Sequence, residues 1–167
     1  LLIVFFMIGI FRIYQIKRNS KVTSLADFDF IETDHEDAPF SFFRNLFWRN
    51  DVQLDEEVGK NMLKHELVHI QENHSWDKVM VGLLSSQFWM NPFFWIIRRE
   101  LEVIHEFIAD EKTIKNADPA MLASMLLESQ YKGKFINNGE SYFYSSIKRR
   151  IIMITNSKKT SYSYLRR

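Results

Sequence analysis

His65-Glu66-Leu67-Val68-His69 places two imidazoles four residues apart with a carboxylate between them. On a helix, positions i and i+4 leave the same face about one turn apart, which lets both rings bind a single Zn²⁺. Glu66 lies beside that face. It is badly placed to be a third ligand but well placed to take a proton from a water activated by the metal, the arrangement of a zinc peptidase. Three fixed residues in five also arise by chance on solvated helices, so the string needs a third ligand before it carries a function.

Glu102-Val103-Ile104-His105-Glu106-Phe107-Ile108-Ala109-Asp110 supplies one. The stretch reads as helical and sets Glu106 and Asp110 on one face. Catalytic zinc takes three protein ligands and leaves a fourth position open, so His65, His69 and Glu106 make a sufficient set. Asp110 can then accept the free N–H of a ligand histidine. His105 is a competing ligand, although it points about 100° away from Glu106 on a helix. The plainer alternative is that Glu102, Glu106 and Asp110 form a solvated acidic stripe.

The elements that must hold these residues are legible in outline. Asp55 is a candidate cap for the helix carrying the two histidines, with Val58, Met62 and Ile70 as its apolar support. Residues 22–32 alternate as one strand would. Phe40 to Trp48, after Pro39, reads as strand material around a turn, and an exposed edge there could hold a substrate strand. Residues 79–97 are mostly apolar, and Asn91-Pro92 must break or kink a helix within them. Two readings stand for this segment: a membrane-dipping element with interfacial aromatics, or a hairpin buried inside the domain. His74 and Asp77 read as ordering a helix end rather than binding metal. Asp118-Pro119 marks a helix start and Gly133 a matching stop, and Lys148 to Thr155 reads as a terminal amphipathic helix.

With 167 residues the chain suits one domain, and its fifteen phenylalanines supply an ample core. It has no cysteine, which excludes disulfides, thiolate metal sites and a cysteine nucleophile. Leu1 to Phe11 is an apolar run followed by Arg12, Lys17, Arg18 and Lys21, the reverse of the order in a signal peptide. We read it as the trailing part of a transmembrane helix with a cytoplasmic basic flank; the alternative is a buried amphipathic helix. Charge is partitioned: Asp27 to Asp37 is acidic, whereas Lys148, Arg149, Arg150, Lys158, Lys159, Arg166 and Arg167 gather after the last acid, Glu140. No nucleic-acid module accompanies these cations, so direct nucleic-acid binding is not expected and anionic lipid head groups are the better partner.

The combination of His65-Glu66-Leu67-Val68-His69-Ile70, His74, Phe88-Trp89-Met90-Asn91-Pro92, Arg98-Arg99-Glu100-Leu101 and His105 to Glu111 resembles the BlaR/MecR-type membrane metallopeptidases, a family that includes the bacterial transducers sensing β-lactams. The resemblance runs from the juxtamembrane segment to about residue 155. It implies a gluzincin, with His65, His69 and Glu106 as zinc ligands, Glu66 as catalytic base, and Asp110 as the acid four positions after the ligand glutamate. Prenyl-protein and quality-control membrane peptidases share H-E-x-x-H with a downstream E-x-x-x-D. The short ligand separation and the W-x-N-P segment favour the BlaR/MecR type.

The sequence thus predicts an α+β, mostly helical, zincin-like (gluzincin) domain with a small antiparallel sheet attached to a transmembrane helix. Residues 1–16 would be the end of that helix, 17–155 a cytoplasmic zinc metallopeptidase domain, and 156–167 a basic juxtamembrane linker. The expected activity is zinc-dependent endopeptidase action in signal transduction at the bacterial inner membrane, on a regulator such as a transcriptional repressor or on the chain itself, with a homodimer as a further expected partner state. A non-catalytic, zinc-stabilised relay is the alternative. Tyr131, Tyr142 and Tyr144 cannot be ranked by spacing as oxyanion donors, and no S-x-x-K sensor motif names a stimulus.

Overall fold

Four strands and four main helices follow one another along the described residues, 2–114 and 148–153, of the computed structural model. Helix α1 (Leu2–Arg18) leads into a sheet of β1 (Lys21–Ser24), β2 (Asp29–Thr33), β3 (Phe40–Phe42) and β4 (Asn45–Arg49). Helices α2 (Glu57–Gln71), α3 (His74–Gln87) and α4 (Pro92–Ile114) follow. Residues 148–153 are helical, in line with the terminal helix expected from Lys148; the helix signals at Asp118-Pro119 and Gly133, the three tyrosines and residues 156–167 lie outside the described residues.

The sheet order is β1-β2-β4-β3. The β1/β2 and β3/β4 pairs are antiparallel but β2 and β4 run parallel, so the sheet is mixed and not the antiparallel one expected. The reason is topological: the chain leaves β2, crosses to the far edge to form β3, and turns back at Phe43-Arg44 to fill the gap with β4. Central β4 is buried on both faces through Leu46, Phe47 and Trp48, as a flanked strand must be. Phe40 stacks on its cross-strand partner Phe47 with ring centroids 4.5 Å apart, a pairing of the kind that fixes strand register.

Residues 22–32 are two strands, not one. Leu25 N–H donates to the Phe28 carbonyl at 2.9 Å, closing a tight turn. Arg44 ties that turn down by donating to the Ala26 and Asp27 carbonyls. Lys17, read from sequence as part of a cytoplasmic flank, bridges Asp29 and Asn45 at 2.7 and 2.6 Å and fastens α1 to the sheet. At the other edge, Phe43 sits in the left-handed region at φ 52°, donates its N–H to Ser75 Oγ at 2.8 Å and sets its ring edge against Trp76. Edge strand β3 is thereby fixed to the start of α3.

The cap of α2 is Glu56, in extended conformation and without a side-chain hydrogen bond, rather than Asp55. Glu57 in the first turn complements the helix dipole instead. Between α2 and α3 the chain reverses at Asn73, held at φ 57°, a conformation that asparagine tolerates better than most residues. Asn91-Pro92 separates α3 from α4 as expected: Pro92 opens α4 and Asn91 Oδ1 accepts the Phe93 N–H at 3.0 Å. The buried-hairpin reading of residues 79–97 does not hold. Phe88, Trp89, Met90, Phe93, Trp95, Ile96 and Ile97 are exposed, Met90 by 79%.

Helix α1 packs on α3, where Gly82 admits the Phe6 ring so closely that a Cβ would lie 2.5 Å from its edge. Among the described residues no helix is long and apolar enough to cross a membrane.

Candidate metal centre

Helices α2 and α4 cross so that His65, His69 and Glu106 converge. His65 and His69 lie one turn apart on the buried face of α2, and Glu106 projects from the middle of α4. The ligand atoms of the three all lie within 4.8 Å of one another. Individual separations are 3.3 Å between the two Nε2 atoms, 3.4 Å from His65 Nε2 to Glu106 Oε2, and 3.6 Å from His69 Nε2 to Glu106 Oε1. The two contacts to Glu106 use different oxygens, Oε2 toward His65 and Oε1 toward His69. Donors at about 2.0–2.2 Å in tetrahedral directions around one ion would be about 3.3–3.6 Å apart, so the two nitrogens and this carboxylate are close enough to share a zinc-sized cation.

Electrostatics favour a cation here. Burial alone would lower the pKa of His65, yet Asp110 and Glu106 overcome it and hold the imidazole at about 9. A field that stabilises a proton on this ring stabilises a metal ion in its place. Burial pushes His69 down to about 3, with His65 and Lys78 adding to the shift, so its ring is neutral and carries a lone pair. For Glu106, burial is outweighed by the His65 hydrogen bond and the nearby Arg150, and the carboxyl is held below its usual range.

Asp110 stands where the sequence placed it, one turn beyond Glu106, with Oδ1 3.3 Å from His65 Nδ1. It is 2% exposed. His69 uses its other nitrogen differently: Nδ1 meets His74 Nδ1 at 2.8 Å, so one ring donates and the other accepts. His74, pushed down to about 4 by burial and then by His105 and Lys78, stacks on His105 at 4.0 Å. His105 in turn bonds Asp77 through Nε2 at 3.1 Å. His74 thus ties the start of α3 to α2 and α4, and Asp77 ties α3 to α4. His105, the competing candidate, is 2% exposed but turned toward Asp77 and His74, away from the three-residue cluster.

Glu66 is half-buried at the cluster, with its pKa raised by burial and by Glu106 against the opposing pull of His65, Ser41 and Lys78. Ser41, which opposes that rise, lies on edge strand β3. Sequence reasoning did not single out Ser41, because the contact joins residues with no shared periodicity.

Arg150 was also missed. Read as one member of a lipid-facing basic cluster, it instead enters the site from residues 148–153. Nε and one Nη atom donate to both oxygens of Asp110 at 2.8 and 2.7 Å, and the other Nη lies 2.8 Å from Glu106 Oε2. Its neighbour Arg149 forks onto Glu100 at 3.2 and 3.1 Å. No local signal separates these arginines from a solvated basic run.

No curated protein and no solved structure matches the chain. Residues 49–154 do match a family, described as BlaR1 peptidase M56, and the matched region contains α2, α3, α4, Arg150 and every member of the cluster. The chain therefore belongs to the BlaR1 peptidase M56 family, and the cluster between α2 and α4 is compatible with the metal centre of a metallopeptidase.

Proposed function

We propose that this chain is a membrane-anchored, zinc-dependent endopeptidase of the gluzincin type, with His65, His69 and Glu106 holding the metal. The observation that carries the reading is the convergence of His65, His69 and Glu106, whose ligand atoms lie within 4.8 Å of one another, with Glu66 beside them. Zinc bound there would supply Lewis acidity, polarising the scissile carbonyl and lowering the pKa of a water. A Glu66 carboxylate oxygen takes the proton of the attacking water and delivers it to the nitrogen of the leaving amine as the C–N bond breaks. Its raised pKa suits a group that must both accept and return that proton. Asp110 Oδ1, 3.3 Å from His65 Nδ1, favours a proton on that nitrogen and leaves Nε2 to the metal; a proton on His69 Nδ1 donated to His74 would do the same for His69. Strand β3 lies at the sheet edge next to Glu66, so an extended substrate pairing with it would bring its backbone past the base.

Membrane attachment rests on a second observation. The exposed apolar residues of α1 (Ile3, Val4, Met7, Ile8, Phe11) and of the α3–α4 tip (Phe88, Trp89, Met90, Phe93, Trp95) give an apolar surface whose aromatics suit a lipid interface. The proposed setting is the cytoplasmic face of a bacterial inner membrane, and the proposed output is cleavage of a regulator, or of the chain itself, in signal transduction.

Metal titration tests the site. Wild-type protein should bind about one zinc, and alanine at His65, His69 or Glu106 should each abolish tight binding, whereas His105→Ala should keep it. Loss of zinc from the His105 variant with retention in the Glu106 variant would replace Glu106 as third ligand.

A further inference from the structure

Arg150 has no place in the scheme above, yet it makes three short contacts to the two carboxylates of α4 and is almost wholly enclosed, its side chain 13% exposed. A guanidinium is a rigid plane whose donors point in fixed directions. Here the edge formed by Nε and one Nη reads both oxygens of Asp110, while the second Nη reads Glu106 Oε2 alone. Glu106 Oε1 faces His69 Nε2 instead. The two oxygens of Glu106 are therefore unequal: Oε2 takes the charged donor at 2.8 Å while also lying 3.4 Å from His65 Nε2, and Oε1 lies 3.6 Å from His69 Nε2.

We propose that Arg150 is a positioning residue that occupies one oxygen of Glu106, so that this side chain can ligate a metal through one oxygen only and a coordination position stays open for water and the substrate carbonyl. The inference rests on the reading of His65, His69 and Glu106 as metal ligands. Its physical content is a competition. A carboxylate free to rotate can grip a cation with both oxygens; one whose second oxygen already accepts a charge-assisted hydrogen bond gives up that bond to do so. The same fork holds Asp110 against His65, so a single cation orients both the ligand carboxylate and the partner of a ligand histidine. Arg150 lies 40 residues beyond Asp110, so the site would be complete only with residues 148–153 docked on α4. Lysine at the position would keep the charge but present one point donor, and could not hold both carboxylates in the same geometry.

The test uses Co²⁺ as the probe, because its visible bands are intense in four-coordinate sites and weaken as coordination number rises. The full chain as wild type, Arg150→Gln and Arg150→Lys is titrated with Co²⁺, with circular dichroism to check the fold. Wild type should bind about one Co²⁺ with intense four-coordinate bands. Arg150→Gln should also bind it but with bands weakened at least about twofold, and Arg150→Lys should not restore the wild-type spectrum. Full restoration by lysine would show that charge alone matters and overturn the proposal. So would a wild-type spectrum in the glutamine variant, or weak five-coordinate bands in wild type, a result that stands even if neither variant folds. Wild-type protein that binds no Co²⁺ overturns the ligand reading itself and this inference with it.

Discussion

The pair formed by Asp110 and Arg150 should act as one buried unit, and a double-mutant cycle measures this directly. Both side chains are enclosed, 3% and 13% exposed, and they meet through two hydrogen bonds of 2.8 and 2.7 Å. Removing one member of such a pair leaves the other charged and desolvated, at a cost of about 3–5 kcal/mol. Asp110→Ala should fall at the lower end, because Arg150 keeps Glu106 as a partner. For a chain of this length each kcal/mol shifts the midpoint by about 2–4 °C, so each single variant should melt about 6–20 °C lower. Asp110→Ala combined with Arg150→Met removes both charges together. It should lose less than the sum of the singles by about 2–3 kcal/mol, the coupling expected of contacting residues. Unfolding is followed by circular dichroism with a chelator present, so that metal binding does not add its own stabilisation. Single effects that add to within about 0.5 kcal/mol would refute the claim that these residues are energetically one pair.

Two further outcomes follow from packing. Gly59→Ala would gain about 1 kcal/mol of helix propensity on an exposed helix, but here the new Cβ would lie 2.0 Å from the Gln53 carbonyl oxygen. Net destabilisation of about 1–3 kcal/mol by urea unfolding is expected, and a more stable variant would show that the 50–56 loop yields freely. In vesicles containing brominated lipid, a variant retaining Trp89 alone should be strongly quenched and one retaining Trp48 alone should not, since Trp48 is buried in the sheet and Trp89 is 56% exposed. Equal quenching of the two would remove the membrane contact of the α3–α4 tip.

The parts of this fold that announced themselves were local. H-E-x-x-H and the Glu106/Asp110 pair each repeat at one helical turn, and Asn91-Pro92 combines a capping side chain with a residue that opens a helix, so short-range periodicity alone located them. That a turn lies within Phe40 to Trp48 was legible in the same way, although its place at Phe43-Arg44 was not. What stayed hidden was non-local. The parallel pairing of β2 with β4 depends on a crossover that no strand pattern encodes, and the turn that splits residues 22–32 is held by Arg44 from another strand. Arg150 is the clearest case: its neighbours Lys148 and Arg149 give it the look of a surface cation, and its burial follows only from the docking of residues 148–153 on α4. Glu56 displaced Asp55 as cap because α2 begins one turn before Lys60, whose N–H bonds the Glu56 carbonyl.

Glu66→Gln tests the central claim most directly. The change keeps size and most hydrogen bonding while removing the carboxylate that would carry the proton. Full-length protein in membranes is assayed for zinc content and for cleavage of its regulator or of itself. The account predicts about one zinc per chain, an unchanged fold, and cleavage reduced at least about 10²-fold, the scale of positioned general-base catalysis, with signalling lost in parallel. A Glu66→Gln protein that still cleaves at the wild-type rate, or that signals at full strength with cleavage undetectable, would contradict it, the second result establishing a relay in which the metal is structural.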